Sequence, residues 1–302
     1  MNKPTRILLQ TTIPATEDDW NIGRFSRLHD HLSSLSDPSG APLFAVTGRN
    51  LERSPDGTDP LLGSLDASDF DELWLFAVDT GDGLNADECG GITRFRQRGG
   101  GLLTTRDHQD LGSSLCTLGG VGAAHFFHSK NQEPDAARHI IDDPDNPAIT
   151  WPNYHSGANG DFQRVEPVEP IHEIFIHPGE SPRPIEMIPA HPHEGAVGVP
   201  EGEGHARVIA TGRSKVTGTP FNLMVAFDAN RDEHGNLLGR AIADSSFHHF
   251  VDYNWDPSLG APTFVTEPPG DGMRREPRAT ADTLAFARNI ALWLAPTAGS
   301  GA

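Results

Sequence analysis

Three histidine-containing segments carry the side chains best suited to acid–base or metal chemistry. They are Arg-Asp-His at 106–108, His-Pro-His-Glu at 191–194 and Ser-Ser-Phe-His-His at 245–249. A neutral imidazole accepts protons near physiological pH and also ligates metals, and a neighbouring carboxylate can orient it. Each segment therefore has a chemical interpretation beside a purely structural one.

The first segment follows a glycine-rich turn and a short predicted strand. Glycines occupy 99–101, and the apolar residues 102–105 lead directly to Asp107 and His108. In the chemical interpretation, His108 is a general base or a metal ligand oriented by Asp107 or Asp110. In the structural one, His108 hydrogen-bonds loop backbone where the strand ends.

The second segment has the spacing of a histidine pair on an extended chain. Pro192 favours an extended conformation for His191, and residues i and i+2 of a strand face the same way. His191 and His193 could then bind one divalent ion (zinc, iron or manganese), with Glu194 as a further ligand. The alternative is a solvated loop rich in proline and histidine.

The third segment follows a predicted strand at 240–244. Either His248 or His249 is expected to face the site, and Ser246 with His248 and Asp107 supplies the residue types of a Ser-His-Asp triad. The Gly-x-Ser-x-Gly sequence that exposes such a serine is absent. In the structural alternative, the serines begin a helix and neighbouring groups satisfy both histidines.

Alternating strands and helices predict the elements that position these residues. Strands are expected at 6–10, 43–47, 72–78 and 102–105, with a helix from 20 to 35 capped by Asp18 or Asp19 and another at 86–98. This order is typical of an α/β fold with a parallel sheet. Strands at 206–211, 222–227 and 240–244 and a helix at 280–294 follow.

Polar loops after the predicted strands supply further binding candidates, because ligands of such sheets bind beyond the carboxyl ends of the strands. These candidates are Thr12, Asp79, Asp82, Arg106 and Asp110. Residues 119–205, which hold many of the prolines and histidines, are predicted to form an irregular insertion over that edge within a single domain, 1–302. His155, within this insertion, is expected at the rim of the pocket.

The glycine turn, the strand at 102–105 and the Arg-Asp-His that follows resemble the class I glutamine amidotransferase-like superfamily. The likeness is strongest to its ThuA-like (trehalose utilisation) branch, in which a Gly-Gly-Gly strand leads to a histidine. The pattern covers roughly 5–130 and 200–295 and implies a flavodoxin-like, three-layer parallel sheet. An amidotransferase needs a nucleophilic cysteine at this turn. Cys116 lies eight residues beyond His108, so the chain lacks that cysteine.

Composition narrows the class of protein. The 302 residues carry a net charge of −19, which disfavours nucleic acid and anionic membranes as partners. No apolar run approaches the ~20 residues of a membrane helix, and the expected location is the cytoplasm. Two cysteines are too few for a disulfide framework, and Cys89 and Cys116 are interpreted as small core residues.

These observations favour an enzyme over a binding protein. The expected activity is a hydrolase or related reaction on a small polar molecule, based on histidine and assisted by a divalent metal if one binds. The resemblance implies a sugar derivative as substrate. The alternative is a non-catalytic ligand-binding protein on the same scaffold, and homo-oligomerisation is left open.

Overall fold

The computed structural model of the protein describes residues 3–15, 20–143, 146, 148–179, 181–263, 265 and 267–296. The helix cap predicted at Asp18 or Asp19 lies outside these residues.

A central mixed sheet organises the part of the chain that the structure describes. Its eight strands are β1 (Thr5–Thr11), β2 (Phe44–Arg49), β3 (Glu72–Phe76), β4 (Gly101–Thr105), β5 (Glu166–Pro167), β6 (Ala206–Arg213), β7 (Pro220–Phe227) and β8 (Ala241–Asp244). They lie side by side in the order β2-β1-β3-β4-β8-β7-β6-β5.

Five of these strands are parallel, which confirms the predicted α/β class with a flavodoxin-like sheet. β1, β2, β3, β4 and β8 pair in parallel, whereas β7, β6 and β5 continue the sheet antiparallel. The antiparallel edge arises because β6 and β7 are joined by a short turn, which permits only a hairpin. The predicted insertion contributes strand β5 to that edge.

Helices cover both faces of the sheet. They are α1 (Ser26–Ser34), α2 (Pro60–Gly63), α3 (Ala86–Gln97), α4 (Asp252–Trp255), α5 (Gly272–Arg275) and α6 (Pro277–Leu294). Leu28 of α1 and Phe286 of α6 pack with Trp74 of β3, while Phe95 of α3 packs with Leu73 on the opposite face. β3 is therefore buried on both sides, as its almost continuous apolar sequence indicates.

The helix starts follow local capping chemistry. Asn85 and Glu88 form a reciprocal capping box at α3. The single helix predicted at 20–35 is instead a 3₁₀ turn, Ile22–Phe25, followed by α1. Asn21 caps that 3₁₀ turn through its side chain.

The insertion is built from short elements, as expected from its proline content. Its further strands are His125–Phe126, Phe162–Arg164, Ile176–His177, Arg183–Pro184, Met187–Pro189 and Ala196–Val197, and its 3₁₀ turns are Leu118–Ala124, Ala136–Arg138 and Glu173–Phe175. After the insertion, the chain forms the short strands Asn230–Arg231 and Leu237–Leu238 and the 3₁₀ turns Phe247–His249 and Pro257–Leu259. Before the insertion, a further 3₁₀ turn, Leu65–Ala67, lies between α2 and β3. Within the described ranges, no helix is both long and apolar enough to cross a membrane.

The two cysteines form a disulfide, Cys89–Cys116. This corrects the interpretation of both as small core residues without a covalent partner. The bond ties α3 to the loop that follows β4. Disulfides are uncommon in cytosolic proteins, so this pairing does not favour the expected cytoplasmic location.

Candidate active site

Adjacent strand ends bring two of the three predicted segments together. β4 and β8 pair in parallel, with Thr105 opposite Asp244, so the residues that follow them leave the sheet side by side. Asp107 and His248 both come from these ends, and Nε2 of His248 lies 3.4 Å from Oδ2 of Asp107. Both side chains are almost completely buried.

The insertion delivers a third residue, His191, to the same point. Its Nδ1 lies 3.3 Å from Oδ1 of Asp107, and its ring stacks on that of His248 with the centroids 3.4 Å apart. The extended His-Pro-His geometry predicted here is wrong, because Pro192 and His193 form a turn. The His191 and His193 rings lie edge to face with their centroids 5.3 Å apart, but Nε2 of His193 contacts Asp143 rather than Asp107.

Asp107, His191 and His248 form a buried group that could hold a metal ion. One ligand atom from each lies within 4.8 Å of the other two. A tetrahedral ion with bonds of ~2.0–2.1 Å places its ligand atoms about 3.4 Å apart. Nδ1 of His191 lies 3.3 Å from Oδ1 of Asp107, and Nε2 of His248 lies 3.4 Å from the other oxygen, Oδ2. The structure thus groups His191 with Asp107 and His248, rather than with His193 and Glu194.

Hydrogen bonds turn a lone pair of His248 toward Asp107. The side-chain nitrogen of Asn254 donates to Asn159 Oδ1 and to the Ala190 carbonyl, which leaves its Oδ1 as an acceptor. Nδ1 of His248 lies 3.1 Å from that oxygen and must donate to it. In the neutral ring Nε2 is therefore the unprotonated nitrogen, and it faces the carboxylate.

His191 presents a lone pair in the same way. The backbone N–H of His193 donates to Nδ1 of His191 over 3.3 Å, so that nitrogen is an acceptor. Oδ1 of Asp107, which it faces, is buried and makes no hydrogen bond to any described residue. Two lone pairs facing an unpaired carboxylate repel it unless a cation lies between them.

Burial and neighbouring charges favour the metal-binding protonation states of His191 and Asp107. Burial, together with His248, lowers the pKa of His191 well below its ordinary value despite the nearby Asp107. Burial opposes ionisation of Asp107, but His191, His108 and His248 hold the pKa of that carboxyl well below its usual range. An ionised carboxylate and a neutral imidazole are the forms that ligate metals.

Two further histidines stand beside this group. Nδ1 of His108 lies 3.4 Å from Oδ2 of Asp107, and the His108 ring is 5.1 Å from that of His193. Burial and His108 lower the pKa of His193 to about 4, although Asp143 opposes this shift. His193 is therefore neutral at pH 7 and able to accept a proton.

The five side chains border a cavity of about 220 Å³. Its other described lining residues include apolar and amide side chains but no lysine or arginine; they are Trp20, Leu111, Asn146, Ile149, Asn159, Pro192, Val265 and Glu267. Trp20 packs edge-on against His248 and Phe247. Such a cavity suits a small molecule that carries no large negative charge.

Glu194 and His249 belong to a different, fully buried cluster. Oε1 of Glu194 accepts from Ser156 and Gln163 and lies 3.3 Å from Nε2 of His249. The other ring nitrogen of His249 lies 2.7 Å from Asp244. Burial lowers the pKa of His249, but the two carboxylates outweigh it and raise that pKa to about 10.

Ser246 has a capping role in the structure. Its Oγ accepts the backbone N–H of His248 at the start of the 3₁₀ turn Phe247–His249. Both ring nitrogens of His248 already face other groups, Asn254 and Asp107, so neither lies free to activate Ser246. The arrangement matches the structural alternative for the serines rather than a Ser-His-Asp triad.

Two of the other sequence candidates organise the loops beneath the cavity. Asp79 accepts from the Thr12 hydroxyl at 2.6 Å and from both the backbone and hydroxyl of Ser114. Thr12 in turn accepts the backbone N–H of Val78. Asp82 is exposed on the same loop.

The remaining candidates also lie outside the cavity lining. The buried Arg106 donates to the carbonyls of Gln109 and Phe126 and packs over Phe127, and burial lowers its pKa to about 9. Asp110 accepts from the backbone and hydroxyl of Ser129. His155 is half-buried and borders no part of this cavity.

Sequence reasoning missed Asn254, Asp143 and Trp20. Asn254 orients His248, Asp143 contacts His193, and Trp20 lines the cavity. A buried polar residue shortly after the His-His pair was the available signal for Asn254. The other two depend on tertiary packing and had no local signal.

No protein-family model and no curated protein matches this chain. Three solved structures resemble it in fold. The mmIFT52 N-terminal domain is 11% identical with a TM-score of 0.47, covering 83% of this chain and 90% of that one. The glutaminase domain of Trypanosoma brucei CTPS with bound acivicin is 13% identical, with a TM-score of 0.42 and 98% coverage of both chains. A ThuA-like protein from Parabacteroides merdae is 16% identical with a TM-score of 0.45, covering 98% and 92%. These likenesses say nothing about the chemistry of the site.

Proposed function

We propose that this protein is a metal-dependent hydrolase that holds one divalent ion between Asp107, His191 and His248. The observation that carries the proposal is the convergence of three ligand atoms on one buried point. The hydrogen bonds of the two histidines direct Nδ1 of His191 toward Oδ1 of Asp107, which has no hydrogen-bond partner among the described residues, and Nε2 of His248 toward Oδ2 of the same carboxylate.

The number of protein ligands, three, suits a catalytic rather than a structural metal ion. Structural zinc sites are usually closed by four protein ligands, whereas catalytic zinc and iron sites use three and leave positions for water and substrate. The group borders the cavity, so such positions are reachable from it. A bound divalent ion lowers the pKa of water and polarises a carbonyl or related group.

His193 is the residue best placed to accept a proton. It is neutral at pH 7, contacts Asp143 through Nε2, and borders the cavity beside the proposed ligands. Asp143 can stabilise the imidazolium once the proton has moved. The proton taken up by His193 then has to reach the leaving group, and His108, whose ring lies 5.1 Å from that of His193 and which also lines the cavity, is placed to pass it on.

The cavity supports a small neutral or cationic substrate. Asp107 and Glu267 are acidic, and the described lining contains no lysine or arginine to hold a phosphate or carboxylate. Covalent catalysis by cysteine has no support, because the described residues include no free cysteine. Water activation therefore accounts better for the site than nucleophilic attack by the protein.

Metal content of extensively dialysed protein, measured by elemental mass spectrometry, tests the proposal. We expect about one zinc, iron or manganese per chain in the wild type and loss of that ion in His248→Ala. His193→Ala is the matched control: it removes a neighbouring histidine that the proposal leaves outside the ligand set, so the ion should stay. Metal lost from His193→Ala but retained in His248→Ala would overturn the proposed ligands. A wild type that neither contains nor takes up zinc, iron or manganese would overturn the function.

A further inference from the structure

A buried cluster behind the cavity links the two chain segments that carry His191 and His248. Glu194 belongs to the insertion, and Asp244 and His249 belong to β8 and the turn that follows it. Nε2 of His249 lies 3.3 Å from Glu194, and its Nδ1 lies 2.7 Å from Asp244. All three side chains have no exposed surface, and none lines the cavity.

The cluster is connected directly to both proposed ligands. Glu194 accepts from Ser156 Oγ, which also accepts the backbone N–H of His191. On the other side, Ser245 Oγ donates to Oε2 of Glu194 at 3.1 Å, and Ser245 lies two residues before the 3₁₀ turn Phe247–His249 that carries His248. The hydrogen bonds therefore run from one ligand-bearing segment to the other through Glu194.

The backbone next to Glu194 packs closely against the residues that follow β4 and β8. Gly195 donates its N–H to the Ser245 carbonyl. A Cβ at this position would approach the carbonyl oxygens of Asp107 and Ser245 to 2.7 Å. The insertion is thus held against the two strand ends that supply Asp107 and His248.

We infer that Glu194 and His249 are positioning residues that set the register of the insertion on the sheet, so that the ligand atoms of Asp107, His191 and His248 converge. This inference rests on the proposed function. A buried charged cluster costs desolvation energy and adds little stability compared with apolar packing. Fixing one arrangement of the insertion on the end of β8 is a role that explains such a cluster better than stability does.

Cobalt binding provides the test, because Co²⁺ takes the place of zinc and its visible absorption reports ligand geometry. Metal-free full-length protein would be titrated with CoCl₂ for the wild type, Glu194→Gln and Ser245→Ala. Glu72→Gln is the matched control, since Glu72 is equally buried but lies at the opposite end of β3. Thermal unfolding of each metal-free variant would be measured in parallel.

We expect Glu194→Gln to raise the Kd for Co²⁺ by 10-fold or more and to change its absorption spectrum, with Glu72→Gln unchanged in both. Ser245→Ala removes one hydrogen bond to Glu194 without removing a charge, and should raise the Kd about 3-fold even if Glu194→Gln fails to fold. Unchanged Kd and spectrum in Ser245→Ala and in folded Glu194→Gln would overturn the positioning role, whatever their melting temperatures. A wild type that binds no Co²⁺ would instead overturn the proposed function itself.

Discussion

Oδ1 of Asn254 lies 3.1 Å from Nδ1 of His248 and accepts its hydrogen, so the other ring nitrogen, Nε2, is the one that faces Asp107. The assignment is unambiguous because the amide nitrogen of Asn254 already donates to Asn159 and to the Ala190 carbonyl. An orienting acceptor of this kind commonly tunes a metal-binding histidine.

Replacing Asn254 should therefore weaken metal binding without touching a ligand. We expect Asn254→Ala to raise the Kd for Zn²⁺ about 10- to 100-fold, the range usual for loss of such a partner. Asn254→Asp keeps an acceptor for Nδ1 of His248 but loses the donor to Asn159 and to the Ala190 carbonyl, so it should retain more affinity than the alanine variant but less than the wild type. Competition with a chromophoric chelator measures both, and equal affinities in the alanine and aspartate variants would contradict the orienting role.

Arg106 gives a second prediction, which concerns stability. Its guanidinium donates to the carbonyls of Gln109 and Phe126, so Arg106→Met would remove both hydrogen bonds and leave the Gln109 carbonyl with the His128 N–H as its donor. We expect a loss of about 2–4 kcal/mol in the free energy of unfolding. Denaturation by urea measures it.

The matched control is Arg213→Met. Arg213 pairs with Glu166 on the surface and should contribute less than about 1 kcal/mol. Equal losses from the two substitutions would show that the buried hydrogen bonds of Arg106 do not carry the expected stability.

Much of the fold was predictable because its signals are local. Asn85 and Glu88 have the spacing of a capping box and so predict the start of α3. The nearly continuous apolar sequence of β3 predicts a strand that is covered on both faces. The general rule for parallel sheets placed Asp107 and the histidines after β8 at the same edge. That rule worked because β8 pairs next to β4, although they are far apart in the chain.

The ligand grouping was not predictable, because it depends on how distant segments meet. The pattern at 191–194 suggested that His191 and His193 share the face of a strand, but Pro192 and His193 form a turn in which Nε2 of His193 contacts Asp143. Glu194 then reaches the buried cluster with His249 instead of the cavity. Likewise, nothing local to Cys89 or Cys116 indicates that they pair.

The acid dependence of stability gives a third prediction, through His172. Burial, together with Arg207, lowers the pKa of His172 to about 4, so the folded state holds this histidine neutral. Between pH 6.5 and 4 the unfolded chain binds a proton that the folded chain does not, and the stabilisation is lost as the pH falls. His172 lies against Trp293, on a different part of the fold from the cavity.

His172→Asn removes this titration and keeps a side-chain cap for the N–H of Ile174. We expect the wild type to lose roughly 1–2 kcal/mol more stability than the variant between pH 7 and pH 4.5, after allowance for solvent screening. Urea unfolding at both pH values measures the difference. Parallel losses in the two proteins would contradict the prediction.

The disulfide gives the last prediction. Cys89 and Cys116 are 27 positions apart, and closing a loop of that length stabilises a fold by roughly 3–4 kcal/mol through the unfolded chain. The bond also ties α3 to the loop that begins with Asp107 and His108. We expect the double variant Cys89→Ser/Cys116→Ser to unfold at lower urea concentration by an amount that corresponds to about 2–4 kcal/mol. Reductant should reproduce this shift in the wild type and have no effect on the double variant. A wild type whose unfolding curve and free-thiol content do not change with reductant would show that the two cysteines are not bonded in the protein as purified.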